Sequence, residues 1–284
     1  MSNTKSVNTK RHRERKSTNS NSSQISAEQA EFLRKQRNDK TLICGIQWLI
    51  FIGFLILWEI AAGQEWINSF IFCSPSIIAK CFWEMLQGGT LFQHVGITLL
   101  ETFVSFAIVI LGSILIAILL WWNPKLSKIM EPYLVVLNSL PKSALAPILI
   151  VWLGANYQTI VVCAISVAVF GSILNIYTGF ITVEPEKIKL IQTLGGNRFD
   201  CLRLVVIPGS LENILSVMKV NIGLCLVGVI IGEFLAARAG LGYLIIYGSQ
   251  VFKMDWVLLA IILLCIIAML LYAILQAFEK KRRY

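Results

Sequence analysis

Six stretches of this chain, residues 41–62, 98–122, 129–153, 159–181, 211–234 and 257–278, are each apolar enough to enter a bilayer as helix. Each also has roughly the 20 residues needed to cross a hydrocarbon core of about 30 Å. Inside hydrocarbon every backbone N–H and C=O must be satisfied internally, and runs of this length satisfy them as helices. The expected fold is therefore an all-α polytopic membrane protein with about six transmembrane helices. Composition agrees: 56% of residues are hydrophobic and only 14% charged. The third run contains Pro141 and Pro147 and is the least suited to a straight helix. Broken backbone at membrane depth is tolerated only where protein or a water-filled path surrounds it.

Charge sets the direction of the spans. Residues 1–40 carry ten Lys/Arg against four Asp/Glu, and residues 279–284 carry four against one. Residues 41–278 hold eleven of each sign, so the net charge of +9 belongs to the two ends. That distribution argues against a nucleic-acid-binding body. With the N-terminus in the cytoplasm, the inner segments hold 20 Lys/Arg and the outer ones 3. The positive-inside rule thus places both termini in the cytoplasm. Three regions follow: a disordered basic tail over residues 1–40, with a short helix possible over 26–40 where Ser26 and Gln29 form a capping-box pattern; a membrane domain over 41–278; and a basic tail over 279–284. No segment has the pattern of a cleaved signal peptide.

Seven cysteines without CxxC spacing and only two histidines, His12 and His94, provide no zinc or redox constellation. Cys73 and Cys81 can share one membrane face, where a disulfide is the minority reading. Between the first two spans, SPSIIAKCFWEMLQGG has a cap at Ser74, proline at the first helical position and a stop at Gly88. Ile78, Cys81, Phe82 and Met85 fall on one face of that helix, which either lies on the membrane and its neighbours or meets an external partner.

Residues 182–210 interrupt the apolar pattern. A helix is expected from Glu184, with Pro185 in its first turn and Glu184 and Glu186 near the positive end of its dipole. It stops at Gly195–Gly196, one of which can adopt the left-handed conformation. Asn197 caps a second short helix, with Asp200 as reciprocal partner. Phe199, Leu202 and Val206 recur there at helical spacing, and Pro208 is expected to end it. Helices this short persist only when packed. Either the insert packs on its own spans, or it enters a groove of another protein.

The stretch LIQTLGGNRFDCLRLVVIPGSL resembles the EAA loop of binding-protein-dependent ABC importer permeases. Gly195 falls on the family glycine and Ile207–Pro208 on its closing pair, while Lys189, Leu190 and Ile191 stand where the family has Glu-Ala-Ala. Residues 72–112, LNSLPKSALAPILIVWLG (137–154) and GEFLAARAGLGYLI (232–245) resemble further segments of the same family in the same order. The likeness covers about residues 41–278 and points to the nitrate/sulfonate/taurine-type branch.

This resemblance implies a type I importer permease fold and no catalysis by this chain. ATP would be bound by two partner ABC ATPase subunits, which grip the insert as a coupling helix. An extracytoplasmic binding protein and a second, identical permease subunit complete the expected complex. It would sit in the lipid bilayer of a bacterial or archaeal cytoplasmic membrane. In agreement, the chain has no GxxxxGK[ST] phosphate loop and no Gly-Lys dipeptide. The coupling candidates are Leu194, Gly195, Gly196, Asn197, Arg198, Phe199 and Pro208. Arg198 either pairs with an acid on the ATPase or is simply solvated.

Candidates for the translocation path or gate are Asn138, Pro141, Lys142, Pro147 and Glu233, because ionisable groups within spans are rare and costly. Lys142 either attracts an anion or snorkels to the interface. Glu233 either contributes to an external gate or caps the next turn. Lys219, Glu59 and Glu101 are expected at interfaces, and Gly228 and Gly232 form a GxxxG pair suited to close helix packing. The substrate is expected to be a small anion such as a sulfonate, taurine, nitrate or bicarbonate. The competing reading is a secondary transporter driven by an ion gradient, which predicts repeated halves that the sequence does not display.

Overall fold

The computed structural model describes residues 73–282 continuously, with residues 52–64 and scattered positions between 32 and 50. The tail 1–25 and the helix expected over 26–40 lie outside the described residues, apart from Phe32, which is helical. The chain forms two units, residues 1–67 and 68–284. The first contains α1 (Gly45–Gly63), an apolar helix of 19 residues with Glu59 near its end.

In the second unit α2 (Pro75–Gln87) begins as its sequence dictates. Ser74 accepts a hydrogen bond from the Ile77 N–H, and Pro75 opens the helix. Ile78, Cys81 and Met85 are buried together on one face. Cys73 and Cys81 carry free thiols. Burial, reinforced by nearby Asp255, pushes the Cys81 thiol up to about 12.

Helix α3 (Thr90–Trp122) is longer than the apolar run that announced it. Residues 90–97 are too mixed to register as membrane-spanning, yet they add two turns of helix after Gly89. The third run becomes two helices, α4 (Pro124–Ser139) and α5 (Lys142–Leu153), bent by 93°. The break falls at Leu140, which is extended at φ −62° and ψ 140°, as the ring of the following Pro141 requires. Pro132 and Pro147 are carried inside α4 and α5. Five described helices are long and apolar enough to cross a membrane, or six if the bent pair counts as one span.

Helix α6 (Tyr157–Ile181) begins at an Asn156 cap and packs against α3 and α10 (Leu211–Ala236). Contact with α10 depends on the two expected glycines. A Cβ at Gly228 would lie 2.5 Å from the Ala164 Cα, and one at Gly232 would lie 2.9 Å from the Ile160 Cα. Only glycine lets these backbones come so close. Helices α11 (Leu241–Gln250) and α12 (Met254–Arg282) complete the unit. The basic segment from residue 279 continues α12, and Glu279 pairs with Lys219 of α10 at 2.7 Å. Lys219 thus joins α10 to α12.

Candidate functional site

The insert between α6 and α10 starts with α7 (Pro185–Thr193), and Glu186 lies in its first turn. Its end is closed by two crossed bonds, Gly195 N–H to the Gln192 carbonyl and Gly196 N–H to the Ile191 carbonyl. Gly195 is the left-handed residue at φ +86°, while a Cβ at Gly196 would meet Ile191 Cγ2 at 2.5 Å. Asn197 then opens α8 (Arg198–Cys201) with a complete capping box. Asn197 Oδ1 accepts from the Asp200 N–H, and Asp200 Oδ2 accepts from the Asn197 N–H, both at 2.9 Å. These reciprocal bonds set the start of α8 locally.

Beyond α8 the sequence expectation needs correcting. Pro208 does not end the second helix. The chain runs through a π-helical turn (Leu202–Val206) into α9 (Ile207–Gly209), and the break falls at Ser210. The Ile207 N–H reaches back to the Leu202 carbonyl, a wider turn that lets the proline continue the helix. Nor does Phe199 share a face with Leu202 and Val206. Those two are buried with Ala117, Ile176, Phe180 and Val217 at the ends of α3, α6 and α10, whereas Phe199 points away.

The insert consequently has two faces. Cys201, Leu202 and Val206 anchor it to its own spans, with Ile188 half-buried beside them. Leu194 and Phe199, on either side of the locked glycine turn, remain 77% and 55% exposed. Arg198 is not free: its Nη1 donates to the Trp122 carbonyl at 2.9 Å, closing the C-terminus of α3. A cleft of about 320 Å³ opens beside it, lined by Trp121, Pro124, Tyr177 and Gln192 among others. The six candidates from Leu194 to Phe199 therefore form one continuous tip, while Pro208 lies at its base.

The path candidates separate into two groups. Asn138, Pro141 and Lys142 meet at the bend between α4 and α5. Asn138 Oδ1 packs where a Cβ at Gly171 would stand 3.1 Å away. Lys142 Nζ donates to the carbonyls of Leu137 and Asn138 at 2.8 and 2.5 Å, satisfying the end of α4. Pro147 lies farther along α5. Glu233 belongs elsewhere, 1% exposed at the far end of α10. Its carboxylate accepts from Thr98 Oγ1 at 2.7 Å and from the Gly242 N–H at 2.5 Å.

Glu101 joins it there. The expectation of an interfacial Glu101 is wrong: the residue is 2% exposed, one turn along α3 from the Thr98 that bonds Glu233. The added turns at the start of α3 carry it away from the helix end and into the protein. Thr98, Glu101, Thr102 and Ser105 form a fully buried polar stripe on an otherwise apolar helix. That spacing of three and four residues was a legible signal for an inward face, and it was missed. Nearby, the rings of His94, Tyr243, Tyr247 and Trp256 follow one another at centroid separations of 6.2, 5.6 and 6.0 Å.

Residues 108–284 match the family described as "Binding-protein-dependent transport system inner membrane component". The chain belongs to that family. It is the permease subunit of an ABC importer. The permease is 27% identical to the riboflavin transport system permease protein RibX of Chloroflexus aurantiacus, over 80% of this chain and 84% of the relative. It is 25% identical to the putative aliphatic sulfonates transport permease protein SsuC of Escherichia coli, over 85% and 92% of the two chains. It is 27% identical to the taurine transport system permease protein TauC of Escherichia coli, over 68% and 70%.

Among solved structures, the permease superposes on a chain of the inward-facing MetNI methionine ABC transporter with a TM-score of 0.62 at 19% identity. That match covers 70% of the permease and 97% of the methionine-transporter chain. Its fold is that of a type I importer permease. The permease is a multi-pass protein of the cytoplasmic membrane that carries no cofactor, and ATP hydrolysis resides in a separate subunit of the complex. The ion-gradient-driven alternative is set aside.

Proposed function

We propose that the tip Leu194–Phe199 is the contact through which the ATPase drives this permease. One observation carries the reading: two large apolar side chains, Leu194 and Phe199, stand exposed on a turn that is locked by its own backbone, while the opposite face of the insert is buried in the spans. A rigid apolar knob of this kind fits a groove on a partner. The Gly195–Gly196 pair allows that groove to approach the backbone, and Arg198 braces the knob against the end of α3.

Force applied at the tip enters α10 through the π-helical turn, Pro208 and Ser210. Helix α10 has 26 residues, so it spans about 39 Å. Its glycine contacts with α6 make the two helices move together. A pull on the insert is thereby delivered to the Glu233 end and, through α6, to the α4–α5 bend, where Asn138 packs on Gly171.

In this reading the insert, the segment before α1 and the end of α12 face the cytoplasm, following the Lys/Arg distribution. The regions 1–40, 41–278 and 279–284 serve as cytoplasmic tail, membrane domain and cytoplasmic tail. A second copy of the permease completes the pore, two ATPase subunits bind the two inserts, and a binding protein presents the solute on the outer face. The solute is a small anion of the sulfonate type, in line with the aliphatic-sulfonate relative. Lys142 has its ammonium turned to carbonyls, so any attraction it exerts on such an anion acts at long range.

The test is a Phe199→Asp permease reconstituted with its ATPase and binding protein. Membrane insertion should be unchanged, and ATPase affinity should fall about thirtyfold, the equivalent of losing one buried aromatic anchor. Uptake at wild-type rate, with normal substrate-stimulated ATPase activity, would overturn the assignment.

A further inference from the structure

The cleft of about 320 Å³ beside Arg198 lies where the insert meets the ends of α3 and α6. The spans line it with Leu120, Trp121, Tyr177 and Ile181, and the insert with Gln192 and Arg198 among others. Its polar side chains offer donors. Arg198 uses one guanidinium N–H on the Trp122 carbonyl and has no carboxylate partner among the described residues. A guanidinium has five N–H donors and no acceptor, so the others stay available. Tyr177 Oη accepts from Ser127 Oγ at 2.5 Å, which leaves the Tyr177 proton without an acceptor among the described residues. Gln192 adds an exposed side-chain amide, and no Asp or Glu lines the cleft. Donors gathered without an acid select an oxyanion, and a phosphate suits the arginine fork best.

The remaining walls decide what carries that oxyanion. Leu120, Trp121, Ile181 and Ile188 are apolar, and a free, hydrated inorganic anion gains nothing from apolar surface. Ile181 is 55% exposed, so this side of the cleft is open to whatever surrounds the spans. Height points the same way. Helix α3 ends at Trp122 and α6 at Ile181, so Trp121, Trp122 and Tyr177 stand at the level where aromatic rings meet lipid headgroups. Lys125 and Lys128 follow at once on α4, and a basic surface at this level attracts anionic lipid.

We propose that this cleft seats the phosphate of an anionic phospholipid, held by Arg198, Tyr177 and Gln192, with the apolar walls against its glycerol and upper chains. That the lipid belongs to the cytoplasmic leaflet rests on the placement of the insert proposed above. The headgroup touches the insert and the spans together, so it ties Arg198 to the ends of α3 and α6 beyond the single bond to Trp122. The lipid composition of the leaflet thereby sets how firmly the insert is braced.

The full-length permease, with photoreactive benzoylphenylalanine in place of Ile181, tests this in vesicles of equal parts phosphatidylglycerol and phosphatidylcholine. Mass spectrometry of the crosslinked product should show about a fivefold excess of phosphatidylglycerol, the equivalent of one arginine acting on one lipid charge at a membrane surface. Equal capture of both lipids, or capture of neither, would overturn the proposal. Arg198→Gln should bring the ratio close to unity. Lys189→Gln removes the same charge from an exposed position of α7 outside the cleft and should keep most of the excess. Equal losses in the two variants would mean diffuse surface charge and no site. Should Arg198→Gln fail to insert, Gln192→Glu decides, being isosteric and at an exposed position: a negative charge in the cleft must abolish the preference, and its persistence overturns the site. Millimolar glycerol phosphate and added ATPase should each leave capture unchanged. Displacement by the first would make the occupant a soluble phosphate, and displacement by the second would make the cleft part of the ATPase contact; either ends the lipid assignment. Capture is read without nucleotide or uptake, so its failure leaves the coupling role of Leu194–Phe199 standing, and a failed Phe199→Asp test leaves the lipid site standing.

Discussion

At one end of α10, Asn197 and Asp200 exchange hydrogen bonds across three residues, and Gly195 and Gly196 bond to carbonyls of the turn just completed. At the other end, Thr98 reaches Glu233 across 135 residues and the Leu241 N–H across 143. The insert is shaped by its own backbone and offers apolar side chains outward. The Glu233 turn is shaped by distant helices and hides its polar groups. A part that must be gripped by another protein needs its form before the partner arrives, and local bonds supply that. A part that must respond to helix movement needs bonds that cross between helices, because only those change when the helices shift.

The strongest way to break the comparison is to cut the connection between the two ends. Gly228→Leu would drive a side chain into the Ala164 backbone. We expect a loss of about 3 kcal/mol or more, the upper range for overpacking, since backbone cannot move aside as a side chain can. Thermal unfolding in detergent should report it, and Gly228→Ala should be milder but still destabilising. If both variants unfold like wild type, α10 and α6 are not the rigid pair described.

Next in size is Thr98→Val at the buried end. It leaves the Leu241 N–H without its acceptor and removes a donor from Glu233. With about 1–3 kcal/mol for each buried group left unsatisfied, the turn at residues 237–242 should open to exchange while the insert keeps its protection. Thr98→Ser, which keeps the hydroxyl, should restore most of the loss. Uniform loosening of both ends would show that they are not separately held.

What could be read from the sequence follows the same division. Ser74 and Pro75, Gly195, the Asn197–Asp200 box and the Gly228/Gly232 spacing were all legible, because each device works within a few residues or through a small-residue pattern. The 93° bend was legible only as proline-broken backbone, since its angle depends on what α4 and α5 pack against. Arg198 to Trp122, Lys219 to Glu279 and Thr98 to Glu233 were invisible. Each joins residues distant in sequence, and a charge alone does not reveal its partner. The π-helical turn over Leu202–Val206 moves Val206 off the phase that an α-helix would give it relative to Phe199, and nothing in the residue pattern marks that turn.

The smallest expected effect sharpens the contrast most. Asn197→Ala removes one arm of the capping box and should cost about 1 kcal/mol, felt by α8 alone. Because Asp200 still accepts from the backbone of residue 197, the tip should fray without unfolding, and residues 237–242 should exchange at the wild-type rate. The double variant Asn197→Ala/Asp200→Ala should lose little more stability, because α8 is also tethered through buried Cys201 and Leu202. Yet ATPase affinity should fall further than stability does, since a frayed tip must be ordered at the moment of binding. A double variant that binds the ATPase as wild type does would mean that the groove, and not the local backbone, shapes the knob.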